Sequence, residues 1–442
     1  MKGSQRVIAS GAKQSRSDIG RLLWLIALLA LGFSLRTAIV LRVLSGKAFP
    51  GDTSLTSSLE PQDTDAYFAY AQALHDRAEY ATVPGKPSAH RPPLYPLFLA
   101  GLFKIFGARK SVALWANVPL GLLSIFLTYL VARKTLGARG ALLASCVVAC
   151  DPYLLISTGW LMTEAFSVLL FVLFLYLLSP RPVTHGDALS PLGPRCSIFV
   201  GLVFGALVLS RSAWPLLGVL PVFAILSGRG RALPRVRNFA LFLLGFLVVY
   251  FPWVMRNFIS MGTFIPFTTH GGYSLLVSNN ENFYKWKLTH PGDWGEDDFR
   301  TWEAQLLLRT RGLNEVEKDT YCYREAFTFI RTDLRRFAHL VLIRMGEFWK
   351  LYRHRAVGKE KYISAFYVAA LYILSAVGAV RLRGSPQMLF LLISPIVILT
   401  LVYGLYGAQI RYRLPLIPVL AILAGAAVFG ENFKRPLEKG EA

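Results

Sequence analysis

Two carboxylates open a stretch that reads as an amphipathic helix. In Pro61-Gln62-Asp63-Thr64-Asp65-Ala66-Tyr67, the acids Asp63 and Asp65 precede Tyr67, Tyr70, Ala71 and Leu74, which recur at helical spacing. Acids placed there serve either as a cap beside the helix dipole or, just outside a membrane span, as a general base or as hard-metal ligands. A third carboxylate, Glu164 in Met162-Thr163-Glu164, stands at the mouth of an otherwise apolar segment. An ionisable group at membrane depth is costly to keep and is a functional candidate for that reason; a first-turn helix acid is the alternative.

The cations and amides have their own pattern. His90 and Arg91 precede Pro92-Pro93-Leu94-Tyr95-Pro96, where three prolines stiffen the way into an apolar segment. They read as ligands or as interfacial anchors. Pro252-Trp253-Val254-Met255-Arg256-Asn257 ends another apolar segment, and Gly271-Gly272 and Asn279-Asn280 follow it. Paired glycines allow close backbone approach, while the asparagines and Trp253 suit sugar hydroxyls and ring faces. Arg411-Tyr412-Arg413-Leu414-Pro415 sets two guanidinium forks before the last apolar segment. Such forks match phosphate oxygens, with snorkelling to the membrane surface as the alternative.

The elements that must position these groups are membrane spans. Of the 442 residues, 54% are hydrophobic and only 17% charged, and apolar stretches near the spanning length recur from end to end. A soluble protein with one anchor is excluded. The net charge of +22 sits largely in short loops between apolar segments, which is the pattern of the positive-inside rule and not of nucleic-acid binding. Four cysteines, Cys146 and Cys150 on one apolar segment, Cys196 on another and Cys322 in a polar region, form no disulfide framework.

Basic residues before Leu22 place residues 1–21 in the cytoplasm. About ten spans follow within 22–430, with outer loops at 45–111 and 256–361 and a cytoplasmic tail at 431–442. The segment Phe337 to Tyr352 carries Arg344, Glu347, Lys350 and Arg353 on one helical face and is expected to lie in the interface. Only Asp18, Asp187, Glu431, Glu438 and Glu441 then face the cytoplasm. The remaining carboxylates, and any chemistry they perform, fall on the outer side. No internal repeat is visible, which disfavours a transporter. The expected fold is an all-α polytopic membrane bundle with extracytoplasmic juxtamembrane helices.

Taken in order, these segments resemble the GT-C superfamily of polyprenyl-phosphate-sugar-dependent glycosyltransferases, in its bacterial branch related to protein O-mannosyltransferases and lipid A aminoarabinose transferases. The resemblance rests on Asp63, Tyr67, Ala71 and Leu74; on Pro92 to Pro96; on Glu164; on Pro252, Trp253, Arg256 and Asn257 with the Gly-Gly and Asn-Asn loop; and on Arg411 to Pro415. The chain departs from the pattern in two ways. The second acid of the usual Asp-Glu pair is displaced to Asp65, and, with about a dozen residues after the last expected span, no large C-terminal soluble domain is expected.

The resemblance implies an integral protein of a bacterial inner membrane with an extracytoplasmic active site. Its donor would be a polyprenyl-phosphate sugar and its acceptor a protein, glycolipid or polysaccharide, and the reaction would invert the anomeric centre. Asp63 would act as base and Glu164 would position sugar or acceptor. Arg411, Arg413 and Arg256 would face the leaving phosphate, and Tyr67, Arg91, Asn257 and Asn279 would contact substrate. Asp65 and His90 would bind substrate or a divalent metal ion. The alternative function is a transporter or flippase of lipid-linked sugars, using the same arginines without a surface base.

Overall fold

The computed structural model describes residues 2–46, 66–179, 192–226, 232–290, 294–352 and 358–429, with the backbone alone for 2–18 and 360. Asp63 and Asp65 lie outside the described residues, as do 431–442. Among the described residues there is no strand, only an isolated bridge between Val83 and Lys86.

Helix α1 (Lys2–Leu44) leads to two juxtamembrane helices, α2 (Tyr67–Arg77) and α3 (Leu94–Phe106). Then come α4 (Lys110–Cys150), the short α5 (Pro152–Ser157), α6 (Glu164–Leu178), α7 (Pro194–Ser210), α8 (Val219–Leu226) and α9 (Ala232–Met261). A polar group follows: α10 (Gly271–Val277), α11 (Glu281–Thr289), α12 (Glu296–Arg309), α13 (Glu315–Thr332) and α14 (Leu334–Phe348). Helices α15 (Gly358–Arg381), α16 (Pro386–Tyr406) and α17 (Ile417–Phe429) close the chain, and a 3₁₀ turn, Ile410–Leu416, precedes α17.

Among the described residues, six helical segments are long and apolar enough to cross a membrane: Ile19–Leu44, Lys110–Cys150, Ala232–Met261, Lys361–Gly384, Pro386–Tyr406 and Ile410–Phe429. Leu94–Phe106, Glu164–Leu178, Pro194–Ser210 and Pro215–Leu226 are shorter apolar helices. The second and third spans expected from sequence share α4, where Gly137 leaves the helical region at φ 70° and ψ −174°. The Ser145 hydroxyl donates to the Ile125 carbonyl at 3.4 Å. In one straight helix those residues would be about 30 Å apart, so the two halves form a hairpin. Helix α14 belongs to neither apolar group; Leu340, Arg344 and Phe348 form its buried side.

Small residues bring the spans together, as expected where lipid rather than water is the competitor. A Cβ on Gly201 of α7 would come within 2.1 Å of the Phe242 carbonyl oxygen, and one on Gly245 of α9 within 2.3 Å of that of Ile198. Helix α17 is buried on every side from Ile417 to Ala427 and is the axis of the bundle. Exposed Trp24, Phe251 and Phe366 mark the lipid-facing sides of α1, α9 and α15. The polar helices have their own small core of Leu275, Leu276, Trp302, Leu306, Cys322 and Ala326.

Buried guanidinium groups tie helix ends to one another. Arg36, inside α1, donates to the carbonyls of Val148 and Ala149 at 3.3 Å each and so satisfies the C-terminal end of α4. Gly121 leaves room for it: a Cβ there would lie 2.2 Å from the Arg36 Nε.

Candidate functional site

A cavity of about 1120 Å³ opens where the spans meet the polar helices. Tyr67 reaches it from the first turn of α2, and His90 and Arg91 from the strap before α3. The cap of α2 is Ala66, in the left-handed region at φ 58°, with no side-chain cap bond. That conformation costs an alanine about 1–2 kcal/mol and is held by its surroundings.

Four groups expected from sequence thus line the cavity: Tyr67, His90, Arg91 and Arg411. Arg411 donates to Gln409 Oε1 at 2.7 Å and lies 5.1 Å from the Tyr412 ring centre. Glu164 is set just behind the wall, 1% exposed, where Thr163 caps α6 without a side-chain bond. Its partner is Arg211, the residue that ends α7 and itself lines the cavity. Their closest approach is 3.6 Å, between Glu164 Oε1 and Arg211 Nη2. Glu164 Oε2 and Arg211 Nη1 are both buried without a hydrogen-bond partner. The Arg211 guanidinium also lies 5.3 Å from the Tyr412 ring centre.

The other expected residues stand away from the lining and hold it in place. Arg256 donates to the carbonyls of Ser88 at 2.6 Å and Tyr80 at 2.8 Å, pinning the strap that carries His90 onto α9. Asn257, fully buried, donates to the Ile265 carbonyl at 3.2 Å. Asn279 accepts from both terminal nitrogens of Arg344 at 3.1 Å and donates to Leu275 and Leu405 carbonyls. Arg413 donates to the carbonyls of Phe348 and Lys350 and to the Tyr372 hydroxyl. It caps α14 rather than facing a ligand. Its three bonds all start from Nη1, while Nη2 is buried without a hydrogen-bond partner; what keeps Arg413 from the cavity is its position, 1% exposed and off the lining.

Several lining groups were not singled out by type or spacing. Arg211 reads in sequence only as the end of an apolar run. Asp319 lines the cavity from α13 and accepts the Gly272 amide at 2.7 Å. Burial pushes its carboxyl up to about 6, with the Gly272 amide opposing the shift and Glu315 adding to it. His270 is held well below the usual imidazole range by burial, then by the neighbouring Arg91 and His90. It is therefore neutral at pH 7. Elsewhere in the lining Lys287 pairs with Glu347, near Arg344. The only signal for the α13 groups is helical spacing: Val316, Asp319, Thr320 and Tyr323 share one face.

The described residues contain no cluster of three His, Cys, Asp or Glu side chains able to hold a metal ion. His90 and His270 lie 4.4 Å apart between ring centres, close to Arg91, and supply two donors beside a positive charge. That set does not fit a divalent ion by itself.

Comparison with known proteins gives three findings. Residues 90–255 match the family model described as dolichyl-phosphate-mannose-protein mannosyltransferase. No curated protein matches the chain. The apo oligosaccharyltransferase of Archaeoglobus fulgidus superposes with a TM-score of 0.51 at 16% identity, over 92% of this chain and 50% of that one. The same enzyme in complex with Zn and sulfate gives a TM-score of 0.51 at 16% identity, over 92% and 48%. ArnT from Cupriavidus metallidurans bound to undecaprenyl phosphate gives 0.42 at 15% identity, over 92% and 77%. The chain spans about half the length of the archaeal structures it matches.

Proposed function

We propose that this chain, which has the fold of the GT-C glycosyltransferases, moves a sugar from a polyprenyl-phosphate donor to an acceptor hydroxyl at the extracytoplasmic face. The observation that carries the reading is that Arg211 and Arg411 both lie beside the Tyr412 ring in a cavity whose lining also includes Tyr67, His90 and Arg91. They come from segments far apart in sequence, and Arg211 holds a buried donor that no protein atom uses. A buried unsatisfied donor is costly to keep, and a phosphate oxygen would satisfy it.

In this reading the lipid tail stays in the bilayer and the phosphate meets Arg211 and Arg411. The acceptor oxygen attacks the anomeric carbon on the face opposite the phosphate. The C–O bond to phosphate breaks, and the configuration inverts. Negative charge growing on the leaving phosphate is stabilised by the two guanidinium groups. Asp63, three residues before the Ala66 cap, takes the acceptor proton. Glu164 orients Arg211, and Tyr67, His90 and Arg91 bound the sugar.

The test is release of polyprenyl phosphate by the purified chain in lipid nanodiscs, using undecaprenyl-phosphate hexoses and pentoses as donors. Asp63→Asn should insert normally, since Asn keeps the size and the capping ability of Asp. Its rate should fall by about a hundredfold to ten-thousandfold. A wild-type rate in that variant removes Asp63 as the base. Donor movement between leaflets without bond cleavage would identify a flippase instead.

A further inference from the structure

Helix α13 presents a polar face to the cavity that the transfer scheme above leaves unused. Val316, Asp319, Thr320 and Tyr323 follow one another at helical spacing along the lining. The helix is fixed at its start by a capping box, in which Asn314 accepts the Glu317 amide at 2.9 Å and Glu317 accepts the Asn314 amide at 2.8 Å. One turn before Asp319, Glu315 accepts the Ala89 amide at 2.8 Å and the Thr269 hydroxyl. It thereby joins α13 to both straps that carry the cavity histidines.

The glycine pair serves the same end. A Cβ on Gly272 would lie 2.2 Å from the Asp319 carbonyl oxygen, and one on Gly271 would lie 2.1 Å from the Tyr323 hydroxyl. Only glycines let α10 come this close, and that approach delivers the Gly272 amide to the Asp319 carboxylate. Aromatic rings complete this end of the cavity. Trp294 and Phe299 line it, and the Trp294 ring packs on Trp302 at 5.2 Å and on Phe283 at 5.3 Å between centres.

We propose that the α13 face, with Asp319 and Thr320 as hydrogen-bonding groups and Trp294 and Phe299 as ring platforms, is the acceptor subsite, and that the acceptor it takes is a saccharide. This rests on the transferase reading. A carboxylate repels a lipid phosphate, so the donor's charged group belongs at Arg211 and Arg411 and the uncharged acceptor at Asp319. A carboxylate already held on one side by a backbone amide can accept from sugar hydroxyls, and charge-assisted bonds of that kind are the stronger class. Rigid ring faces offer an apolar surface to the C–H face of a pyranose at low entropic cost. A serine or threonine acceptor brings a single hydroxyl on a peptide backbone and would leave most of this set unmatched.

The experiment is saturation-transfer NMR on the full chain in nanodiscs. The probes are the methyl glycosides of mannose, glucose, galactose and N-acetylglucosamine, with a serine- and threonine-containing peptide as competitor. Undecaprenyl phosphate binding is measured on the same samples. At least one glycoside should receive saturation from the wild type, with the peptide neither bound nor competing. Asp319→Asn keeps an oxygen for the Gly272 amide and should weaken glycoside binding about tenfold or more, while undecaprenyl phosphate binding is unchanged. Thr320→Val, whose hydroxyl bonds only its own helix at Val316, should weaken glycoside binding severalfold. It provides the readout if Asp319→Asn fails to fold. Absence of glycoside contact in the wild type, equal binding in both variants, or peptide contact in place of glycoside overturns the inference. If undecaprenyl phosphate binds and no glycoside does, the acceptor inference alone falls. If undecaprenyl phosphate itself does not bind, the donor reading falls with it.

Discussion

Replacing Glu164 with glutamine should move two measurements in opposite directions. Glu164 and Arg211 approach to 3.6 Å, with side chains 2% and 11% exposed. At an effective dielectric of about 20, two unit charges at that separation attract by roughly 5 kcal/mol. Removing one partner of a buried pair generally costs about 3–5 kcal/mol. Here the cost should be smaller, about 1–3 kcal/mol, because the pair is too long for a hydrogen bond and Arg211 borders the cavity. Glu164→Gln should therefore unfold several degrees earlier in a detergent melt. With its competing anion gone, however, Arg211 should hold a lipid phosphate more tightly, by about tenfold for each 1.4 kcal/mol of attraction released. The assay is a paired one: thermal unfolding and undecaprenyl phosphate titration of wild type and variant at the same pH and salt. Glu164→Asp, which keeps the charge, separates loss of charge from loss of packing and should leave phosphate affinity near the wild-type value. A Glu164→Gln protein with unchanged melting and unchanged lipid affinity would refute the coupling between these two residues.

The remaining expectations separate binding from support. Arg411→Lys should weaken donor use with little change in melting, because the planar fork at the cavity is lost. Arg413→Lys should instead lower the melting temperature, because the carbonyls of Phe348 and Lys350 lose their shared donor. Equal effects of the two on both measurements would contradict this division. The Asp319 carboxyl, pushed up from 3.8 to about 6 by burial, stabilises the folded state fully below pH 3.8, and that contribution is lost as pH rises through 6. Asp319→Asn should therefore gain melting temperature relative to wild type at pH 7 and lose that advantage at pH 4; a difference independent of pH would exclude the burial effect. Reporters fused at Gly230 and Gly292 should read cytoplasmic and extracytoplasmic, with Gly358 on the same side as Gly292. A cytoplasmic signal at Gly292 would place the cavity on the wrong face.

Much of the bundle is legible from the chain alone, because a lipid solvent imposes a strict rule on it. Every spanning segment must be long, apolar and helical, so the hydropathy of residues such as 386–406 or 417–429 announces each helix without reference to its neighbours. The helical spacing of Tyr67, Tyr70 and Ala71 likewise marks α2, whose buried side carries those residues. The role of the charged groups was another matter. Arg411 and Arg413 are of one type and two residues apart, yet one lines the cavity and the other caps α14. Residues two apart on a tight turn point to different sides, and only the packing of α14 against that turn determines which side holds the cavity.

The Gly137 break shows the same division. The apolar runs on either side of it are plain in the sequence, but the fold of those runs into a hairpin within α4 depends on a backbone torsion and on Ser145 meeting Ile125. Glu164 was a candidate on its own, whereas its partner Arg211 lies on a different span and carries no local signal of the pairing. Asp319 became a site residue only through the close approach of Gly272 across two helices. Local composition determined which segments are helices and which of them enter the membrane. Long-range packing, which spends some charged groups on backbone carbonyls and leaves others facing the cavity, decided which residues form the site.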